Sequence, residues 1–198
     1  MFTGIIQTIG EIIAIEKKGT NIDFTIKSKI SKELKIDQSI AHNGVCLTVI
    51  EQKKDTHKVT AIKETLEKTA LNNWKVGNKI NLEKAMAANA FLDGHLVQGH
   101  VDQTAKCKKI EHKNGSTHFY FEFKKEPLFT LVDKGSVCID GTSLTIVSTK
   151  NKKFSVAIIP YTFEHTIFHT YQEGTEVNIE FDIIGKYIDK ILAQRIKH

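Results

Sequence analysis

The sequence is poor in arginine, the residue on which much nucleic-acid recognition depends. The chain has 198 residues and a formal net charge of +5, but Arg195 is its only arginine. Bidentate contacts to bases and phosphates rely on the guanidinium fork, and the lysines are scattered along the whole chain. The positive charge therefore indicates a solvated, lysine-rich surface, and we expect no nucleic-acid partner.

Cysteines and long apolar runs are also scarce. Cys46, Cys107 and Cys138 form no CxxC pair and leave an odd number, which is typical of a reducing compartment. No apolar run approaches the ~18 residues of a membrane-spanning helix, and the first residues lack the basic region of a signal peptide. We expect a soluble, cytoplasmic protein without a membrane partner.

Motifs for common cofactors are missing from the sequence. It contains no GxGxxG, no P-loop and no Ser-His-Asp elbow. His165 and His169 have the i, i+4 spacing of a zinc pair, but they lack the glutamate of HExxH and a third ligand. We interpret that pair as structural and expect neither a metal nor a nucleotide cofactor.

What the sequence does contain is a long internal repeat. Residues 43–49 read Asn-Gly-Val-Cys-Leu-Thr-Val, and residues 140–146, which follow 97 positions later, read Asp-Gly-Thr-Ser-Leu-Thr-Ile. The same separation relates residues 63–66 to 160–163 and residues 76–83 to 173–180, while Gly4 corresponds to Gly99 after a small insertion or deletion. Solenoid repeats are about 20–50 residues long, so this repeat indicates a duplicated domain.

Alternating apolar and polar residues predict strands through most of each copy. Residues 22–26 and 119–123 show this period of two, and the Asn-Gly and Asp-Gly pairs at 43–44 and 140–141 predict tight hairpins. Short helices are predicted at 64–71 and 163–168, with a single turn at 31–34. Six short strands per copy close naturally into a small antiparallel barrel, because closure leaves no open edge. The sequence thus predicts an all-β protein with barrels at 1–85 and 95–182, joined by a linker at 86–94.

The tail at 183–198 has no counterpart in the first copy. Its apolar residues follow helical spacing and predict an amphipathic α-helix. That stripe either packs on the barrels of the same chain or joins copies of the chain into an oligomer.

Polar residues recur at equivalent places after each hairpin. Cys46 corresponds to Ser143, and Thr48 and Thr145 lie two residues further along, so each pair shares one face of its strand. A core face would not need two polar residues in each copy, whereas a ligand-facing wall would. Cys46 itself remains open to three interpretations: a nucleophile, a polar contact or a buried filler.

Two histidines stand near the predicted start of the second copy. His100 directly follows Gly99, and His95 lies five residues earlier, on the opposite face if the segment is a strand. They therefore do not form a metal pair. A lone histidine is otherwise a surface residue or a hydrogen-bonded core residue.

Five motifs in order resemble riboflavin synthase of the α-chain type. They are residues 1–5, 43–49, 63–66, 94–102 and 140–145. The resemblance implies two six-stranded Greek-key barrels that each bind lumazine, and a C-terminal helix that holds a homotrimer. It also implies an active site between the first barrel of one subunit and the second barrel of its neighbour. Lumazine synthase is a further partner that the resemblance suggests.

The implied activity is the last step of riboflavin biosynthesis. Two molecules of 6,7-dimethyl-8-ribityllumazine dismutate by transfer of a four-carbon unit, giving riboflavin and 5-amino-6-(ribitylamino)pyrimidinedione without an external cofactor. Within this resemblance, Cys46 acts as nucleophile or polar stabiliser, and His100, Ser143 and Thr145 handle protons. Alternatives are a lumazine- or flavin-binding protein of the same fold without catalysis and, more distantly, barrels that bind single-stranded nucleic acid.

The substrate-binding residues are also carried over from the resemblance by position. The first barrel's face would comprise Gly4, Ile5, Ile6, Cys46, Leu47, Thr48, Thr60, Ala61 and Ile62. The second barrel's face would comprise Gly99, His100, Val101, Lys134, Ser143, Leu144, Thr145, Ile158, Ile159, Pro160, Tyr161, Thr162 and Phe163.

Overall fold

The computed structural model describes residues 1–124 and 131–195, which form two closed antiparallel barrels followed by a helix. The first barrel contains β1 (Thr8–Lys18), β2 (Asn21–Lys27), β3 (Ser39–His42), β4 (Val45–Lys53), β5 (Thr56–Ala61) and β6 (Lys79–Lys84). In the described residues the second contains β7 (Gln103–Lys113), β8 (Ser116–Phe123), β9 (Ser136–Ile139), β10 (Thr142–Lys150), β11 (Lys153–Ile158) and β12 (Glu176–Phe181). The predicted duplicated all-β fold is confirmed. Residues 125–130 of the second predicted domain and 196–198 of the predicted tail lie outside the described residues.

Both barrels have the same Greek-key strand order. The first closes in the order β1-β2-β5-β4-β3-β6, and the second in the order β10-β11-β8-β7-β12-β9. These two circles are identical when each strand is matched to the strand six places later. The internal repeat of the sequence is therefore a repeat of topology as well.

The two predicted hairpins are confirmed, and their tips meet. Asn43 and Gly44 have φ of 45° and 76°, and Asp140 and Gly141 have φ of 43° and 81°, as a type I′ turn requires. A Cβ on Gly44 would lie 2.7 Å from the backbone nitrogen of Gly141, and a Cβ on Gly141 would lie 2.8 Å from that of Gly44. The barrels thus touch backbone to backbone at a point where only glycine fits.

Two equivalent asparagines join each barrel to the opposite hairpin. Asn81 of β6 donates from Nδ2 to the carbonyl of Asp140 (2.9 Å) and accepts at Oδ1 from the N–H of Ile167 (2.9 Å). Asn178 of β12 donates to the carbonyl of Asn43 (2.9 Å) and accepts from the N–H of Ala70 (2.7 Å). These buried bonds relate the barrels by an approximate two-fold axis.

Each helix predicted inside a repeat is split in two. The first becomes α1 (Lys63–Lys68) and a 3₁₀ turn at Ala70–Asn73, and the second becomes α2 (Pro160–His165) and a 3₁₀ turn at Ile167–Thr170. The prediction of one continuous helix at 64–71 and at 163–168 is wrong, because Thr69 and Thr166 are extended and cap the following turns. The second helix also begins earlier than predicted, with Pro160 at its first position, where a missing N–H is tolerated.

The tail forms α3 (Ile183–Arg195), as predicted. Five of its apolar side chains are 50–64 % exposed in the single chain: Ile184, Tyr187, Ile188, Ile191 and Leu192. The alternative in which this stripe packs on the chain's own barrels is therefore not adopted. Across residues 1–124 and 131–195, the helices all fall short of the length and apolarity that a membrane crossing demands.

Candidate functional site

Two short stretches of chain, residues 2–6 and 95–101, cross between the barrels, and we name them the crossing segments. Phe2 and Val97 form an antiparallel bridge, with N–H to carbonyl distances of 2.7 and 3.1 Å. Both side chains are buried with Ala41 and Cys138 in a small apolar cluster. Because Phe2 and Val97 occupy equivalent positions, the crossing repeats the two-fold relation of the barrels.

The crossing takes a glycine of each segment to the barrel of the other repeat. The carbonyl of Gly99 accepts from the N–H of Cys46 (2.9 Å), and the carbonyl of Gly4 accepts from the N–H of Ser143 (2.8 Å). A Cβ on Gly99 would lie 2.5 Å from the Cβ of Cys46, and a Cβ on Gly4 would lie 2.6 Å from that of Ser143. The φ angles of these residues are +80° and +77°, so glycine is required both by the backbone conformation and by the lack of space for a Cβ.

This arrangement corrects the sequence-based grouping of the site residues. Gly4, Ile5 and Ile6 were grouped with Cys46, and residues 99–101 with Ser143, whereas the contacts are the reverse. The Phe2–Val97 bridge is the physical reason, because it carries each segment past its own barrel. Each candidate cleft is thus built from one barrel and the crossing segment of the other repeat.

Two buried carboxylates hold the crossing segments. Glu83 accepts from the N–H and hydroxyl of Thr3 (2.6 and 2.8 Å) and from the N–H of Gly4 (3.0 Å). Glu180 accepts from the backbone N–H groups of residues 98, 99 and 100 (2.6, 2.9 and 3.0 Å). Burial raises the pKa of both carboxyls above the usual value.

The first cleft lies beside Cys46 and has a volume of about 300 Å³. Cys46 is half-buried and His100 is exposed at its wall, while Thr48 on the same face of β4 is exposed. On α1, Lys68 forms an ion pair with Glu64 (2.8 Å) at the rim. The lining residues are Val45, Cys46, Glu64, Thr65, Lys68, Thr69, Gly99, His100 and Val101.

The surface beside Ser143 corresponds to the first cleft by the repeat, and we call it the second cleft; different residues surround it. Ser143 is half-buried and Thr145 is exposed, which confirms the predicted outward face of β10. In place of the ion pair of α1, the rings of Tyr161 and His165 on α2 stack with centroids 4.0 Å apart. The two clefts are alike in backbone and unlike in the charge of their rims.

His95 is a residue of the second cleft that sequence reasoning missed. Its Nδ1 lies 2.6 Å from Oγ of Ser143, and its side chain is buried. Burial lowers the pKa of this imidazole, against a smaller opposing effect of Asp182, so the ring is neutral near pH 7. The segment is not a strand and β7 begins only at Gln103, so an argument from strand faces could not find this contact.

Four of the proposed substrate-binding residues have their side chains in the barrel cores: Leu47, Ala61, Leu144 and Ile158. A ligand can therefore meet these four residues through their backbones but not through their side chains. The alternation along the strands causes this, because residues next to Cys46 and Ser143 point inward.

The remaining proposed residues differ in their exposure and in their contacts. Ile62 and Ile159, which directly precede α1 and α2, are equivalent and exposed, as is Ile5. Thr60 donates to Asp23 (2.6 Å), and Lys134 is exposed with a φ of 67°. Val101 packs against the first core and Phe163 against the second. Of the other three, Pro160 is exposed, whereas Ile6 and Thr162 are half-buried.

Comparison with known proteins agrees with the doubled architecture. A family model described as the lumazine binding domain matches the chain twice, at residues 3–85 and 98–182. Riboflavin synthase of Bacillus subtilis is 44 % identical over 195 residues, covering 97 % of this chain and 90 % of that relative. The corresponding figures for riboflavin synthase of Bacillus amyloliquefaciens are 42 %, 193 residues, 97 % and 90 %.

Solved structures support the fold. LumP complexed with 6,7-dimethyl-8-(1'-D-ribityl) lumazine has a TM-score of 0.83 at 24 % identity, covering 91 % of this chain and 98 % of that one. At this identity the likeness concerns the fold alone. The two matched domains and the full-length sequence similarity together show that the chain belongs to the riboflavin synthase family.

Proposed function

We propose that the protein is a riboflavin synthase that converts two molecules of 6,7-dimethyl-8-ribityllumazine into riboflavin and 5-amino-6-(ribitylamino)pyrimidinedione. One lumazine transfers a four-carbon unit to the other, so the oxidation of one molecule balances the reduction of its partner and no external cofactor is needed. The observation that carries the proposal is the pair of equivalent clefts, beside Cys46 and beside Ser143, in a chain similar over its length to riboflavin synthases.

The chemistry requires a nucleophile that adds to one lumazine and a base that removes a proton from the acidic methyl group of the other. Cys46 is the half-exposed thiol in the first cleft, and it serves there as nucleophile or polar stabiliser. His100 is exposed beside it and handles protons. In the second cleft, Ser143 and Thr145 take this role, and neutral His95 at 2.6 Å exchanges a hydrogen bond with the Ser143 hydroxyl.

Holding two lumazines against each other supplies a large share of the rate enhancement. A bimolecular encounter becomes a local one when both partners are bound in reacting geometry. The exposed apolar side chains of Ile62 and Ile159 offer equivalent flat contacts for the two ring systems.

We further propose that the chain acts as a homotrimer, with each reaction centre between the first barrel of one subunit and the second barrel of its neighbour. The exposed apolar stripe of α3 supports this, because five such side chains on one helix need a partner surface. A cytoplasmic location, supported by the three free cysteines, and an association with lumazine synthase complete the proposal.

Trimming the chain after Gly185 tests the role of α3. The truncated protein should sediment as a monomer, whereas the full chain should sediment as a trimer. A full chain that is already monomeric, or an unchanged mass after truncation, would contradict the proposal.

Turnover tests the activity directly. Purified protein mixed with the lumazine should develop riboflavin fluorescence, and Cys46→Ser and His100→Gln should each lower kcat by roughly 10- to 1000-fold. His118→Gln on β8 is the matched control and should keep full activity, because His118 is neither a residue that lines the first cleft nor one of the proposed binding residues. Full activity in both site variants would show that their assigned roles are wrong.

The second candidate is a protein that binds lumazine or flavin without converting it. The likeness of the fold to LumP, solved with lumazine and with riboflavin, favours keeping this candidate. The same assay separates the two, because a carrier binds the lumazine and changes its spectrum while forming no riboflavin.

A further inference from the structure

Two buried glutamates occupy equivalent positions on the strands that close the barrels. Glu83 on β6 pairs across the sheet with Ala41, and Glu180 on β12 pairs with Cys138. Their side chains are 3 % and 2 % exposed. A buried carboxylate is costly unless it is hydrogen-bonded, so the identity of its donors shows what the residue is for.

Both carboxylates accept hydrogen bonds from the crossing segments. Glu180 accepts from the N–H groups of Gln98, Gly99 and His100 at 2.6, 2.9 and 3.0 Å. Glu83 accepts three bonds from Thr3 and Gly4 at 2.6–3.0 Å. Five of these six donors are backbone N–H groups, so each carboxylate fixes the path of the main chain. Charge-assisted bonds of this kind are among the stronger ones in proteins.

Each glycine passes this constraint on to the opposite barrel. Gly99 donates its N–H to Glu180 of the second barrel and accepts at its carbonyl from Cys46 of the first. Gly4 donates to Glu83 of the first barrel and accepts from Ser143 of the second. A carboxylate on one barrel therefore sets the backbone at the mouth of the other barrel's cleft.

We propose that Glu180 and Glu83 are positioning residues for the two clefts. Glu180 places His100 and holds Gly99 against Cys46, and Glu83 places Gly4 and Ile5 beside Ser143. Neither lines the first cleft, so both act through the main chain they hold. The catalytic consequence depends on the proposed riboflavin synthase activity, whereas the geometric consequence does not.

The thiol of Cys46 gives a readout that needs no activity. Cys46 is half-buried, whereas Cys107 and Cys138 are buried. Glu180→Gln keeps the shape of the side chain but places an NH₂ group where backbone N–H groups now find an acceptor, so the segment over Cys46 loosens. Dithionitrobenzoate should then modify one thiol about tenfold faster than in the wild type, as expected for losing one charge-assisted bond.

The matched variant is Glu83→Gln, which loosens the segment beside Ser143 and should leave the rate at Cys46 within about twofold. Glu176→Gln on the same strand as Glu180 is the control, because Glu176 accepts from Thr104 and Asn73 and holds no crossing segment. An unchanged rate in Glu180→Gln would overturn the proposal. So would the simultaneous reaction of all three thiols, because that pattern reports global opening.

Turnover of the lumazine provides the second readout. Glu180→Gln and Glu83→Gln should each lower kcat roughly 10- to 100-fold with little change in KM, while Glu176→Gln retains activity. A wild type that forms no riboflavin would overturn the proposed activity and leave the thiol result standing. A wild type that forms riboflavin at the same rate as Glu180→Gln would overturn the positioning role alone.

Amide hydrogen exchange on the wild type tests the proposal without any variant, so it applies even if a variant does not fold. The amides of Gly99 and His100 lie outside regular strands, yet they should exchange slowly because Glu180 accepts both. Exchange as fast as that of the linker at 86–94 would overturn the proposal.

Discussion

The first barrel contains two buried histidines at positions where the second barrel contains apolar side chains. His42 and His57 lie with their Nε2 atoms 2.8 Å apart, and Nδ1 of His57 lies 2.8 Å from the hydroxyl of Ser31. The equivalent positions of the second barrel hold Ile139 and Phe154, both in the core. One fold thus tolerates two very different interiors, because the strand order and the hairpins, not a particular core, define it.

The opposite difference appears at the hairpin tips. The second barrel has Asp140, which accepts from the hydroxyl of Tyr171 at 2.5 Å, where the first barrel has Asn43 and Trp74. Burial raises the pKa of Asp140 to about 7, while burial lowers the pKa of His57 to about 4. The barrels should therefore respond to pH in opposite directions between about pH 4 and 7.

The largest expected effect concerns what the barrels share, the glycines of the crossing. Gly99→Ala and Gly4→Ala should each destabilise the protein by about 4 kcal/mol, because a Cβ meets another Cβ within 2.6 Å and φ is positive. Thermal unfolding checks this, with Gly115→Ala as control, since φ is also positive there but nothing lies within 4 Å. If either variant lost no more stability than Gly115→Ala, the close contact proposed for that glycine would be contradicted, and the two crossings would not be equivalent.

The next largest effect is a loss of stability at low pH, which we expect in the first barrel and not in the second. The histidine pKa values are lower in the folded than in the unfolded protein, so the folded state binds fewer protons and loses stability as pH falls below about 6.5. For His57 alone the loss is about 3 kcal/mol by pH 4. Trp74, the only tryptophan, packs on Phe24 in the first barrel and reports its unfolding by fluorescence.

The control replaces the two buried histidines of the first barrel with the residues found at the equivalent positions of the second. The double variant with His42→Ile and His57→Phe should keep Trp74 in its native environment at the acid pH that unfolds the wild type. An acid midpoint equal to that of the wild type would show that these histidines do not set the sensitivity.

The smallest effect concerns Asp140. Its pKa is raised in the folded protein, so its stabilising contribution is present below about pH 4 and is lost as pH rises through about 7. Asp140→Asn should therefore gain about 1–2 kcal/mol at pH 8 relative to the wild type and little at pH 5. Urea unfolding at both pH values checks this.

The reverse change sharpens the test. Asn43→Asp should lower stability at pH 8, because Trp74 offers no hydroxyl to the new carboxylate. Equal effects of the two substitutions at pH 8 would contradict the stated role of burial.

The repeat in the sequence was sufficient for the architecture. An Asn-Gly and an Asp-Gly pair at equivalent positions fixed both hairpins, and the outward faces of Cys46 and Ser143 followed from the period of the strands. These features are local, so they can be read from a few neighbouring residues.

The crossing could not be predicted from the same repeat. Gly4 and Gly99 are equivalent in the repeat, so the sequence pattern does not say which of them pairs with Cys46 and which with Ser143. The long-range Phe2–Val97 bridge decides this, because it carries each segment to the barrel of the other repeat. The contact of His95 with Ser143 depends on that bridge as well. The breaks at Thr69 and Thr166 had a local signal, since each threonine caps the turn that follows it.

The mass balance of the reaction tests the central claim most directly, namely that two like clefts bring two like molecules together. Incubation with 6,7-dimethyl-8-ribityllumazine, followed by separation of the products, should give one riboflavin and one pyrimidinedione for every two lumazines consumed. Lumazine that is bound but recovered unchanged, or riboflavin formed in any other proportion, would contradict the account.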